Sequence, residues 1–173
     1  AVATHFAGGP EHVIEDVADL WSFGADDCDA RCITTNGTVK ANGRGVMGRG
    51  CAKQARERLL GLEITLGAQL LEHGNHVAIL SHTGNRTAPT PLVIFPVKHE
   101  WHEKADLELI AQSARELVTL TACQGWKRVV LPRPNSGFPA GGVGGVDLLH
   151  RNRNAELDGK AELCNPEGCI LCP

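Results

Sequence analysis

The sequence predicts an α/β layered fold in which a mixed, largely parallel sheet is covered on both faces. Three observations predict it. Short β-branched or apolar runs alternate with helical patterns along the chain. Two of those runs, Val77–Leu80 and Leu92–Val97, are apolar throughout, as strands buried on both faces are. One long amphipathic segment, Ala105–Cys123, is available to cover a sheet.

Taken in order, residues 1–10 carry Gly8, Gly9 and Pro10 without periodicity and read as a flexible leader. His12 to Ala18, with Val13, Ile14 and Val17, reads as the first strand, and Arg31 to Thr35 as the second. A glycine-rich stretch follows. Cys51 to Leu60 and Glu63 to Glu72 are then helical, punctuated by Gly61 and Gly74. Between the two apolar strands, Thr83-Gly-Asn-Arg-Thr is a turn. In the long helix, Leu107, Ile110, Ala111, Ala114, Leu117, Val118 and Thr121 recur at spacings of three and four and form the expected core stripe. Acidic Glu103, Asp106 and Glu108 suit the positive end of its dipole, and Gly125 its left-handed cap. Lys127–Leu131 is the next strand, stopped by Pro132 and Pro134. Strand pairs that follow one another without a helix between them imply some antiparallel pairing.

At 173 residues the chain suits one domain. Aromatic residues make up only 4%, with no Tyr, which argues against a surface that stacks bases on rings. A net charge of −3 provides no overall attraction to nucleic acid, so phosphate recognition has to come from a local cluster. One lies between Lys40 and Arg58, where six basic residues face a single acid, Glu57. By itself such a run also describes a solvated helix face. Seven unevenly placed cysteines and no basic-then-apolar leader point to a reduced cytoplasmic setting. No apolar stretch approaches the ~18 residues that a membrane span needs.

Gly43-Arg-Gly-Val-Met-Gly-Arg-Gly-Cys-Ala-Lys-Gln54 places four glycines directly ahead of a helix. Glycine lets backbone N–H groups approach a ligand closely, and a helix start is a ready anion site, so a diphosphate is a natural guest. The same glycines also describe a loop with no ligand, and their spacing leaves both readings open. It is not the phosphate loop that ends in Gly-Lys-Ser/Thr, because Cys51 and Ala52 follow Gly50.

The run Thr34-Thr35-Asn36-Gly37, then Asn42, then Gly45-Val-Met-Gly-Arg-Gly-Cys-Ala52, resembles the ADP-ribose loop of macrodomains. The branch it is most similar to holds the DarG-type antitoxins and the terminal ADP-ribose protein glycohydrolases. The resemblance runs from about Ile14 to Pro134 and implies a three-layer α/β/α sandwich. It further implies that Asp19, with Leu20 beside it, meets the adenine, and that Asn36 and Asn42, next to Thr35, meet the distal ribose. Gly45, Val46, Met47, Gly48, Arg49 and Gly50 would line the phosphates. The end of Phe95-Pro-Val-Lys98 resembles the branch's Phe-Pro-Thr-Lys, which implies Lys98 as the catalytic residue. A lysine there has sensible chemistry, as a nucleophile or imine former at the anomeric carbon or as a cation steadying the departing group. His99 and His102 are of the residue type that serves as acid and base, but strand alternation turns His99 away from Lys98, leaving both as supporting or surface residues and Trp101 as packing.

The pattern departs from the family after Pro134. Asn135 to Asp147 is glycine-rich in a different order; Ser136 and Gly137 are its candidates for the distal ribose, and Asp147, the only nearby acid, comes too late to pair with Lys98. The expected domain therefore covers residues 11–147, with 148–173 as an atypical tail that is either disordered or misread. Cys164, Cys169 and Cys172, with His150, offer thiolates for zinc at an unconvincing spacing, and no metal or cofactor is expected. The implied function is hydrolysis of mono-ADP-ribose from a protein or nucleic acid by a monomer, with a cognate ADP-ribosyltransferase as a partner. A non-catalytic ADP-ribose reader and an unrelated phosphate-binding protein are the alternatives.

Overall fold

The computed structural model describes residues 11–80, 90–133 and 145–151. Within them, strands β1 (Glu11–Val17), β2 (Ala30–Asn36), β3 (Ala78–Leu80), β4 (Leu92–Lys98), β5 (Arg128–Pro132) and β6 (Gly145–Arg151) form one sheet in the order β1-β6-β5-β2-β4-β3. The helices are α1 (Gly50–Arg58), α2 (Leu62–His73) and α3 (Leu107–Gln124). β2 pairs in parallel with β4 and β5, while β3, β6 and β1 join antiparallel. Followed across the sheet, these pairings run β1, β2, β4 and β5 one way and β3 and β6 the other. The sheet is mixed, and most of its strands share a direction, as expected.

Alternation along the strands explains the three layers. On one face, Ile33, Ala78, Leu80, Leu92, Ile94 and Val130 pack with Ala52, Ala55 and Leu59 of the α1 segment and Leu62, Leu66 and Leu70 of α2. On the other, Cys32, Val77, Val93, Phe95, Val129 and Leu131 pack with Leu117 and Leu120 of α3. Each large side chain so enclosed contributes about 1.5–3 kcal/mol by leaving water.

α3 begins where Asp106 accepts hydrogen bonds from the Glu108 and Leu109 N–H groups, and ends at Gly125 with φ +67°, the left-handed cap expected there. Its buried face needs correcting. The enclosed residues are Leu109, Ser113, Leu117, Leu120 and Thr121, whereas Leu107 is 73% and Val118 37% exposed, and Ala111 and Ala114 also face outward. The reason is Ser113. Its buried hydroxyl donates to the Pro96 carbonyl at 2.8 Å, so a polar residue that hydrophobic periodicity skips sits at the centre of the contact.

β6 was not expected as a strand. It lies between β1 and β5, antiparallel to both, and the domain boundary expected at residue 147 falls inside it. Among the described cysteines, Cys28, Cys32 and Cys51 are free thiols. The turn at Thr83 to Thr87 and the three cysteines from Cys164 onward lie outside the described residues. No described helix is long and apolar enough to cross a membrane.

Candidate functional site

Because β1, β2, β4 and β5 point the same way, the residues that follow them gather at one end of the sheet, where α/β folds place ligands. Asp19 follows β1, Asn36 closes β2 and Lys98 closes β4.

Asn36 is buried, and both ends of its amide are used: Nδ2 donates to the Val46 carbonyl at 3.1 Å, and Oδ1 accepts from the Thr38 N–H at 3.0 Å. The side chain thus fastens the glycine loop to the strand end. Thr35 is also buried, with no partner for its hydroxyl among the described residues. Asn42 stands apart from these. It is exposed in a turn, where its Oδ1 accepts from the Arg44 N–H at 3.2 Å.

The glycine loop divides into a packed half and an open half. Gly45 donates its N–H to the Glu63 carbonyl at 2.7 Å, and a Cβ built on it would lie 2.6 Å from Leu66 Cγ, so its lack of a side chain serves packing against α2. Arg44 pairs with Glu63 at 3.0 Å beside it. Val46 is half-buried and Met47 is enclosed in the core. Gly48, Arg49 and Gly50 face solvent at the start of α1, and no side chain caps that helix. Below it Cys51 Sγ lies 3.3 Å from the Thr34 N–H nitrogen and 3.2 Å from its hydroxyl, joining α1 to β2. Burial pushes this thiol up against the opposing pull of the Thr34 contacts, so it stays protonated and structural.

Asp19 is exposed, and its Oδ1 accepts the Trp21 N–H at 3.1 Å, starting a 3-10 turn at Leu20–Ser22. Leu20 is buried, and its carbonyl accepts from Arg31 Nε at 3.0 Å. The turn is tied to α1 by Trp21 Nε1, which donates to Gln54 Oε1 at 2.8 Å, and by the Arg58 guanidinium, 4.7 Å from the indole centroid. Trp21 carried no signal in the sequence, and Gln54 entered only as the last residue of the glycine-rich stretch.

Lys98 sits opposite Asn36 across a register shift between Thr35 and Asn36. Its Nζ donates to the carbonyls of Trp101 at 3.2 Å and Glu103 at 3.3 Å, so the turn after β4 curls around the ammonium. Among the described residues no carboxylate pairs with it. His99 Nε2 lies 3.3 Å from Asp106 Oδ2 at the start of α3. That carboxyl is held below its ordinary range, first by the Glu108 and Leu109 N–H groups and then by His99. Trp101 does not pack: it is 56% exposed, with its ring edge-on to His102 at 5.4 Å. A polar turn built around Lys98 carries its indole outward. Ser136 and Gly137 lie outside the described residues, and the side chains of Asp147 and His150 are likewise not described.

No protein-family model and no curated protein sequence matches the chain. Solved structures do match. The chain is similar to the macrodomain of Mycobacterium tuberculosis DarG, with TM-score 0.54 and 22% identity over 64% of this chain and 70% of that one. The macrodomain of Thermus aquaticus DarG gives 0.51 and 20% over 65% and 72%. Thermosipho africanus DarTG in complex with ADP-ribose gives 0.50 and 18% over 64% of this chain and 30% of that one. At these identities the likeness speaks for the fold, and with the mixed six-stranded sheet between α1–α2 and α3 it establishes that this chain has the macrodomain fold.

Proposed function

We propose that the chain binds ADP-ribose where β1, β2 and β4 end and hydrolyses mono-ADP-ribose from a modified protein or nucleic acid. The observation that carries this reading is the joining of three separate features: Asn36 holds the glycine loop at Val46, and its own Cα is opposite that of Lys98. The open Gly48–Gly50 corner and the uncapped start of α1 suit the diphosphate, because their N–H groups and helix dipole favour an anion. Asp19 retains Oδ2 as an acceptor for the adenine amine, and Asn36, Thr35 and Asn42 supply the ribose side.

In hydrolysis the bond from the anomeric carbon to the acceptor breaks, and water supplies the hydroxyl to the sugar and a proton to the acceptor. Lys98 serves this step either as a cation beside the departing group or, when neutral, as a nucleophile at the sugar carbon. Water and the lysine suffice without a cofactor. The partner implied is the ADP-ribosylated macromolecule, and upstream of it a cognate ADP-ribosyltransferase.

Incubation with mono-ADP-ribosylated protein and, separately, ADP-ribosylated DNA is expected to release free ADP-ribose. Lys98→Ala is expected to bind ADP-ribose and release about 100-fold less or lower still, the scale on which a positioned catalytic group contributes. Equal release by Lys98→Ala sinks its catalytic role. Binding by calorimetry with no release by the wild type makes the chain an ADP-ribose reader, and absence of binding removes both readings.

A further inference from the structure

Asn75 lies between α2 and β3, at the sheet end that carries Lys98, and no motif drew attention to it. Its Nδ2 donates to the Lys98 carbonyl at 3.1 Å. The carboxamide is also pressed against Gly37, directly after Asn36. A Cβ at Gly37 would stand 3.0 Å from Asn75 Nδ2, 3.1 Å from its Cγ and 2.9 Å from the His99 carbonyl. That same carbonyl accepts the Gly37 N–H at 2.9 Å. Two consecutive peptides are thus held, the one joining Lys98 to His99 by Asn75 from the β3 side and the one joining His99 to Glu100 by Gly37 just beyond β2.

The mount of Asn75 is firm. Gly74 closes α2 by donating to the Leu70 carbonyl, and beyond Asn75 both the His76 ring and the Val77 N–H are held by Glu116 of α3. The orientation of the amide is fixed as well, because turning it over would set Oδ1 against the Lys98 carbonyl, acceptor against acceptor. In the orientation held, Oδ1 is buried without a partner among the described residues, a local cost. Such local costs gather where function depends on geometry.

We infer that Asn75 is a positioning residue for Lys98: its Nδ2–carbonyl bond, wedged against Gly37, fixes the lysine peptide and so sets where the ammonium stands relative to Asn36. The consequence for function rests on the ADP-ribose reading of the site; the effect on Lys98 does not. Nζ reaches the carbonyls of Trp101 and Glu103 only while the turn starts from the place that Asn75 and Gly37 give it.

The test is trace acetylation of the free protein with acetic anhydride over a range of pH, read by mass spectrometry at Lys98 with exposed Lys53 and Lys104 as internal references. In Asn75→Ala, acetylation of Lys98 is expected to rise several-fold against both references. In the isosteric Asn75→Asp, the donor is lost and a negative charge is added beside the lysine's own carbonyl, which favours the charged form of the ammonium, so the Lys98 profile is expected to move to higher pH. His99, Glu100, His102, Glu103, Lys104 and Asp106, the other titratable groups between β4 and α3, are the same in every variant. Turnover is expected to fall about 10- to 100-fold in Asn75→Ala, the scale of a small misplacement of a reacting group, with the ADP-ribose Kd unchanged. Wild-type labelling of Lys98 in both variants overturns the inference, and if Asn75→Ala does not fold, Asn75→Asp decides alone. Failure of ADP-ribose to shield Lys98 in the wild type counts against the site reading, while the labelling of the free variants still decides the role of Asn75.

Discussion

Glu116 reaches from α3 to the start of β3, where its carboxylate accepts the Val77 N–H at 2.9 Å and lies 2.8 Å from both His76 Nδ1 and Gln112 Nε2. Burial raises the pKa of this carboxyl, but the bonds from Gln112, Val77 and His76 outweigh it, and the group ends below its ordinary value of 4.5. A carboxyl lowered in the folded state adds stability that is fully present above the unfolded value and is lost as pH falls through the folded one. Glu116→Gln keeps an acceptor for Val77 but loses the charge. It is expected to be less stable than wild type at neutral pH by about 1 kcal/mol, with the gap closing below pH 4.5. Denaturant melts across that range check it, and a gap independent of pH contradicts it. Neither Glu116 nor Asn75 was legible in the sequence, because each works through a bond to a residue dozens of positions away. Asn36 and Lys98 were singled out through the resemblance of the motifs that hold them, because such motifs are contiguous in the chain.

Within the glycine loop, one element has a packed half and an open half that the sequence does not separate. Gly45 is closed in by Leu66, whereas a Cβ at Gly48 meets nothing within 4 Å. Gly45→Ala is therefore expected to cost about 1–3 kcal/mol by overpacking. Gly48→Ala is expected to leave stability within about 0.5 kcal/mol, yet to weaken ADP-ribose binding by crowding the open corner. Unfolding midpoints and calorimetry on the two variants separate these roles, and a reversed pattern refutes the division. The spacing of the glycines disclosed the loop but not which glycine packs, since that depends on where α2 lies. The same limit explains α3: its ends were legible from Asp106 and Gly125, but its buried face was set by Ser113 reaching Pro96, a contact that no hydrophobic period contains. β6 escaped for a related reason, because Gly145 to Arg151 has no regular alternation and acquires its pairing from β1 and β5.

Across the whole molecule, the fold class followed from the alternation of strands and helices, while the convergence of the site depends on strand direction. Asp19, Asn36 and Lys98 are far apart in the chain, and what brings them to one end is that β1, β2 and β4 run the same way, with α1 starting there. A ligand spanning those strand ends binds only the folded chain, so it stabilises the molecule as a whole. At about 100 times its Kd the gain is about 2.7 kcal/mol. For a domain of this size that is roughly 5–10 °C in melting temperature. ADP-ribose is expected to produce that rise, and to lose most of it in Asn36→Ala, where the glycine loop is no longer held at Val46. ATP and NAD at the same concentration are expected to produce less, because ATP lacks the distal ribose that would lie beside Asn36 and NAD carries its nicotinamide where the open sugar carbon would meet Lys98. Equal shifts from all three would reduce the site to a phosphate-binding corner at the start of α1.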